Sequence, residues 1–381
     1  MSLILKLASR NLLQDRLRFI GTVVGIVFSI VLVTIQLGLF LSFERMVSAM
    51  IDHASADLWV VSRGTKCFED PSLLNAADRN QILSVPGVAQ AEPLIIGFTQ
   101  WSVPDDGTTP VFVIGSENNA ANNAPGLHPW DVVEGDVASL AQPDAVAVDR
   151  TYFSRLGVSK LGDSTEIREQ KVKITAITSG IRSFTTTPYI FTTLTRARSF
   201  VAVPPNRVSY FLLRLAPGAN VNDVRQQVLA KIPGVEVLTP ASFSSRSRNF
   251  WLFGTGAGAA LFAGALLGAI VGAVIVAQTL YSSTKDHLGE FATLRAIGSS
   301  NGYINKVIIC QALLSSVVGF SVAALIGLIV VEATANTALP IVMTPTLTAM
   351  LFGLTVTMCV ISAIAAIMQV LRIDPAVAFR Q

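Results

Sequence analysis

Four uncharged apolar runs divide the chain: residues 20–43, 251–280, 307–331 and 345–371. A helix needs about 20 predominantly apolar residues to cross a bilayer, and each run is long enough. The layout is one span, a long stretch of ordinary polar sequence over residues 44–250, then three spans close together. Within the polar stretch the pattern is mixed. Strands are predicted over residues 57–62, 208–215 and 235–238, extended chain over 88–101 and 109–115, and helices over 74–85 and 221–232. SVPGVAQAEPL at residues 84–94 and KIPGVEVLTP at 231–240 echo each other, each following a helix and opening a strand. The two ends of the stretch are therefore expected to pair into one lobe (residues 44–104 and 205–250), with residues 105–204 inserted as a second lobe. The alternative is chance, because Pro-Gly after a helix is ordinary punctuation. The fold class expected is an α-helical membrane protein with four transmembrane helices and a large α+β domain between the first and second.

Charge sets the orientation. The chain is 51% hydrophobic and 14% charged, where a soluble protein carries about 25% charge. Lys6, Arg10, Arg16 and Arg18 precede the first span, Lys285, Arg295 and Lys306 lie in the connector at residues 281–306, and Arg372 and Arg380 lie in the tail at 372–381. The loop at residues 332–344 has neither lysine nor arginine. The bias toward basic cytoplasmic segments puts both ends and the connector in the cytoplasm and residues 44–250 outside. Residues 1–19 suit a helix in the membrane interface, or a simple basic anchor. The first run is longer than a signal-peptide core and no small-residue cleavage site follows it, so it is read as a retained span.

Most chemistry is unsupported. Net charge is +3, without the basic clusters and aromatic interleaving that nucleic-acid binding needs. His53 and His128 lack metal-ligand spacing, the three cysteines make no disulfide framework, and no metal or catalytic residue is expected. The Asn/Ala/Pro-rich run at residues 118–129 reads as a surface loop. No GxxxxGK[ST] phosphate loop occurs, so ATP hydrolysis by that chemistry is not expected of this chain; if it belongs to an ATP-driven machine, ATP and Mg are expected on a partner chain and no cofactor on this one. No ionisable residue sits mid-span, which argues against an ion-coupled carrier. In the second span Gly256, Ala260, Gly264, Gly268 and Gly272 recur every four residues. Such a small-residue face lets helix backbones approach closely, either in packing against the chain's own spans or in self-association, the use favoured by the family resemblance given below.

The connector is the one polar segment pinned between two spans. Leu288, Phe291 and Leu294 recur at helical spacing with Ile297 near the same face; Asp286, Glu290 and Arg295 lie among them, and Gly298 is placed to stop the helix. Spacing alone fits a short amphipathic helix across the membrane face or a tight hairpin. Its sequence, HLGEFATLRAIGSS at residues 287–300, resembles the coupling segment of the permeases that include MacB, LolC, LolE and FtsX: an acidic residue followed by leucine-arginine-alanine-isoleucine-glycine between the second and third spans. Glu290, Leu294, Arg295, Ala296, Ile297 and Gly298 match that pattern. The longer string VIVAQTLYSSTKDHLGEFATLRAIG at residues 274–298 resembles the DevC-type branch, as do TIQLGLF at 34–40, LPIVMT at 339–344, MCVIS at 358–362 and IDPAVAF at 373–379.

The resemblance implies a non-catalytic permease subunit of an ABC exporter in the bacterial inner membrane, with its large domain in the periplasm. It implies an ABC ATPase docked on Asp286, His287, Glu290, Phe291, Leu294, Arg295, Ile297 and Gly298, and a second permease protomer. The DevC branch further implies a periplasmic adaptor, an outer-membrane channel and a glycolipid or other amphiphile as cargo. An FtsX-like transmitter that activates a periplasmic hydrolase, or a LolE-like lipoprotein-releasing permease, are the rival expectations.

Overall fold

Helices that are apolar all round and strands that alternate mark two different kinds of packing in this chain. The computed structural model describes residues 3–14, 16–104, 107–117, 125–286 and 301–371. They fall into two compact units. One contains Ala259–Ala335 with the described residues up to Leu41 and from Pro340 onward; the other contains Ser42–Gly258 with Asn336–Leu339.

Two helices open the chain, α1 (Leu3–Gln14) and α2 (Arg16–Asp52). In α1, Ala8 and Asn11 are buried while Lys6 and Arg10 are exposed. Helix α2 runs past residue 43, where the apolar run ends. Glu44 and Arg45 are good helix formers and no glycine or proline intervenes, so hydrogen bonding continues to Asp52.

The second unit follows. It begins with β1 (Leu58–Ser62), β2 (Leu74–Asn75) and a short α3 (Asp78–Leu83), then the long antiparallel pair β3 (Val88–Val103) and β4 (Gly107–Ser116). Next come β5 (Val132–Gly135), β6 (Ala145–Asp149), α4 (Phe153–Leu156), β7 (Ser164–Ile167), β8 (Gln170–Thr178), β9 (Tyr189–Thr193) and α5 (Leu194–Val201). The unit ends with β10 (Arg207–Val208), β11 (Tyr210–Leu215), α6 (Val221–Lys231), β12 (Val235–Leu238) and α7 (Pro240–Asn249). The strands order as β12-β1-β11-β3-β4-β9-β6-β8-β5, and β7 pairs with both β3 and β8. Strands from the two ends of the stretch thus share one sheet: β1 lies between β11 and β12, and β11 pairs with β3.

Two expectations change here. The helix expected over residues 74–85 shrinks to Asp78–Leu83, because Leu74 and Asn75 pair instead with β10. The boundary expected at residue 104 falls just after β3, which ends at Val103, and one sheet runs through both stretches: β3 pairs with β11 of the outer stretch and with β4 and β7 of the inserted one. Sixteen residues at about 3.3 Å each make a strand of roughly 50 Å. Its first half pairs with β11; its far end closes onto β7 through Trp101 opposite Ile167. The inserted strands therefore continue the same sheet and curl it into a ring, β3-β4-β9-β6-β8-β7. Trp101, Val111, Val113, Val146, Val148, Ile174 and Ile190 belong to the core on the inside of that ring, and the Trp101 indole donates to the Leu156 carbonyl at 3.0 Å.

The opposite face of the sheet carries a second core. Trp59, Phe68, Tyr210 and Phe243 meet there with ring centroids 5.4–6.1 Å apart. Phe243 anchors α7 in it and is fully buried. Phe243→Ala should destabilise this unit by about 3–5 kcal/mol, the usual loss for a buried phenylalanine. Thermal unfolding monitored by near-ultraviolet dichroism would show it. In the run expected to be a surface loop, the described end is loop, but Leu127 joins this core and its carbonyl accepts from Ser116, so that end is buried rather than on the surface.

After α7 a π-helical turn, Phe250–Gly254, leads to α8 (Ala257–Asp286). Then come α9 (Asn301–Thr334) and α10 (Pro345–Leu371). In the first unit Ile26 and Ile30 of α2, Val276 and Leu280 of α8, Ile308 and Ala312 of α9, and Cys359 and Ala363 of α10 share one core, and α1 packs on α9. Large apolar residues also face outward, among them Phe262, Leu267, Val274, Leu325, Ile329 and Ile361. Among the described residues, four helices, α2 and α8 to α10, are long and apolar enough to cross a membrane.

Candidate functional site

The predicted coupling residues His287, Glu290, Phe291, Leu294, Arg295, Ile297 and Gly298 lie outside the described residues; Asp286 is the last residue of α8. What is described is the frame on either side. Helix α8 ends at Asp286 and α9 begins at Asn301, and both are among the helices able to span a bilayer. Near the end of α8, Arg18 at the start of α2 donates from Nη1 to the Ser282 carbonyl at 3.4 Å.

At three of its five positions the small-residue face of α8 packs against the chain's own α2, the alternative use of that pattern. Gly264 lies under the Gln36 side chain, where an added Cβ would come within 2.9 Å of Nε2. Gly268 lies against Leu32 and Val33, and Gly272 against Ser29 and Met358. The Ser29 hydroxyl, wholly buried, donates to the Gly268 carbonyl at 2.7 Å. On another side of the helix, Ser362 of α10 donates to the Ala273 carbonyl at 2.8 Å. The face that was expected to bind a second protomer is thus filled by the chain's own α2. In an apolar surrounding, close backbone contact and a serine-to-carbonyl hydrogen bond reinforce each other. Of the other two positions, Ala260 is exposed, and Gly256 is not helical: its φ of 79° places it in a left-handed turn ahead of α8. The glycine spacing was visible in sequence; the serines opposite it were the overlooked signal.

At the base of the second unit, polar contacts bind the end of α2 to α7. Ser244 donates to Asp52 at 2.5 Å and Arg248 to Ser48 at 3.1 Å. The loop after β1 holds the same region. Arg246 pairs with Glu236 at 2.7 Å and reaches the Thr65 carbonyl, and the Tyr210 hydroxyl donates to the Phe68 carbonyl at 2.9 Å. Trp251, in the π turn, donates from Nε1 to Glu69 Oε2 at 2.9 Å and packs on Phe184, which meets Phe43.

The remaining chemistry-bearing residues serve structure. Burial pushes the Cys67 thiol up to about 12, which leaves it protonated and unreactive. His53 stacks on Trp130 with centroids 4.0 Å apart, and burial lowers the pKa of His128. Among the described residues, no group of three histidine, cysteine or carboxylate side chains could hold a metal.

Two domain families account for the chain. Residues 19–231 match the MacB-like periplasmic core domain, and residues 252–375 match the FtsX-like permease C-terminal domain. No curated protein matches the chain. Among solved structures it is similar to the periplasmic region of MacB from Actinobacillus actinomycetemcomitans, with 9% identity, 52% of this chain and 96% of that one covered, and a TM-score of 0.38. The extracellular domain of the ABC-type transporter YknZ from Gram-positive bacteria gives 13% identity, coverage of 48% and 99%, and a TM-score of 0.35. A domain of a permease protein from Porphyromonas gingivalis gives 16% identity, coverage of 50% and 91%, and a TM-score of 0.32. These structural likenesses are weak, and the assignment rests on the domain matches. Because the MacB-like core alone takes in more than half of the chain and the FtsX-like match takes in α8 to α10, the protein belongs to the MacB/FtsX/LolE superfamily of ABC-type permease subunits.

Proposed function

We propose that this chain is the DevC-like permease of an ATP-driven exporter. It crosses the inner membrane four times with both ends in the cytoplasm, and residues 44–250 stand in the periplasm. Two protomers pair, through a surface other than the Gly264–Gly272 face, and a separate ATPase dimer binds below. ATP-driven closure pushes on the segment Asp286–Ile297, and the motion passes along α8 to the periplasmic unit. The cargo is a glycolipid or other amphiphile, handed to a periplasmic adaptor and an outer-membrane channel. The observation that carries this reading is the position of the acidic–Leu-Arg-Ala-Ile-Gly segment: it joins α8 to α9 inside the FtsX-like region, directly after the helix that leaves the MacB-like unit.

Purification of the complex with its native partners tests the assembly. An adaptor in the complex supports export. A cell-wall hydrolase would replace it with the FtsX-like transmitter, and a lipoprotein chaperone with the LolE-like permease. The topology has its own test. Ser72 is exposed on the second unit, and cysteine placed there should react with a membrane-impermeant thiol reagent in spheroplasts, whereas cysteine at position 300 should react only after the membrane is opened. The reverse pattern overturns the orientation. The native thiols interfere little, because Cys67 and Cys359 are buried and Cys310 is half-buried.

A further inference from the structure

Glu69 is a carboxylate in an apolar setting. It is 9% exposed, Oε2 accepts from the Trp251 indole, and Oε1 has no hydrogen-bond partner. The titratable groups around it are Cys67 and Asp70 on its own loop, Tyr189 on β9 and Tyr210 on β11, and Lys66 of the same loop lies 6.0 Å over the Phe250 ring. Trp251 occupies an unusual piece of backbone. The turn Phe250–Gly254 is π-helical, the Thr255 amide reaches back to the Phe250 carbonyl at 3.0 Å, and Gly256 then turns left-handed before α8 begins. Single π turns and left-handed glycines in a helical path mark places where the path can be re-aimed. The loop carrying Glu69 is otherwise firmly held, since Phe68 is buried in the core and the Tyr210 hydroxyl donates to its carbonyl.

We propose that Glu69 is a proton-operated latch on this turn: neutral, it holds Trp251 against the loop after β1; ionised, it draws water into the loop and releases the turn through which the chain passes into α8. Two effects oppose each other at this carboxyl. Burial raises its pKa, while the hydrogen bond from the Trp251 indole favours the ionised form; burial wins and pushes it up to about 7. The folded value lies above the ordinary 4.5, so the folded protein keeps a proton that an unfolded chain has already lost. The latch is therefore fully stable below pH about 4.5 and loses stability as pH rises through about 7. Released, the proton goes to bulk water. The latch stands independently of the transport reading; only its consequence for coupling rests on it.

The test uses the full chain in detergent micelles without any ATPase. The chain has four tryptophans, so the emission of Trp251 is taken as wild type minus Trp251→Phe. It should move to longer wavelength as pH rises, with a midpoint at about 7. Glu69→Gln, which keeps an acceptor for the indole but cannot ionise, should hold the low-pH emission throughout. Hydrogen exchange of residues 63–70 in wild type and Glu69→Gln gives a second reading that does not depend on Trp251→Phe folding: exchange should speed up with pH beyond its intrinsic rise in wild type only. A flat wild-type response, or a shift that survives in Glu69→Gln, overturns the latch. Because no ATPase or cargo is present, neither result bears on the exporter assignment.

Discussion

Leu294→Asp should separate this permease from its ATPase. By its sequence spacing the leucine groups with Leu288, Phe291 and Ile297, and on the proposed function that apolar set sits in a cleft of the ATPase. Burying a leucine side chain is worth about 1.5–3 kcal/mol against leaving it in water. Loss of that contact alone weakens binding about ten- to a hundredfold, and an aspartate forced into the same cleft adds the penalty of a buried charge. Glu290 and Arg295 act differently. Exposed ion pairs are worth about 0–1 kcal/mol, so Glu290→Ala should weaken binding no more than about fivefold. The checks are co-purification of the ATPase from membranes and cargo export in cells. If Leu294→Asp leaves both intact, the segment at residues 286–298 is not the transmission contact and the proposed function loses its main support.

Elements were legible in the sequence where burial was one-sided or complete. The four apolar runs stand out because a helix in lipid has no polar face; α2, α9 and α10 cover three of them in full, and α8 covers the fourth from Ala257 onward. Strands β1 and β11 were readable as short runs of apolar, aromatic and β-branched residues, and α6 by its helical spacing. Strands β5 to β9 were not predicted. Val132–Gly135 and Ser164–Ile167 have four residues each, too few to establish a period, and β6 is buried at every position, which hides alternation. The break at Thr255–Gly256 was also missed, since composition alone cannot distinguish a glycine that packs from one that adopts a positive φ. Glu69 gave no signal because its burial depends on Trp251, far away in sequence.

The glycine face of α8 gives the second large effect, and its position dependence separates two uses of the same pattern. An added methyl at Gly272 would meet Ser29 Oγ and Cβ as well as Met358 Sδ. Ser29 cannot retreat without losing its hydrogen bond to the Gly268 carbonyl, so Gly272→Ala should already cost about 1–3 kcal/mol, the usual range for overpacking. Gly272→Leu should prevent α8 from seating on α2. At Gly264 the obstructing atoms are the end of the Gln36 side chain, which can swing aside, so Gly264→Ala should be milder. Gly353 on α10 has nothing within 4 Å of an added Cβ and is exposed, and Gly353→Leu serves as the control with an unchanged melting temperature. The measurement is thermal unfolding in detergent micelles together with crosslinking of protomers in membranes. The intramolecular reading requires the order Gly272 above Gly264 above Gly353 in lost stability. If Gly264→Leu and Gly268→Leu instead abolish crosslinked dimers while the melting temperature stays constant, α8 packs on a second protomer and its seat on α2 is wrong.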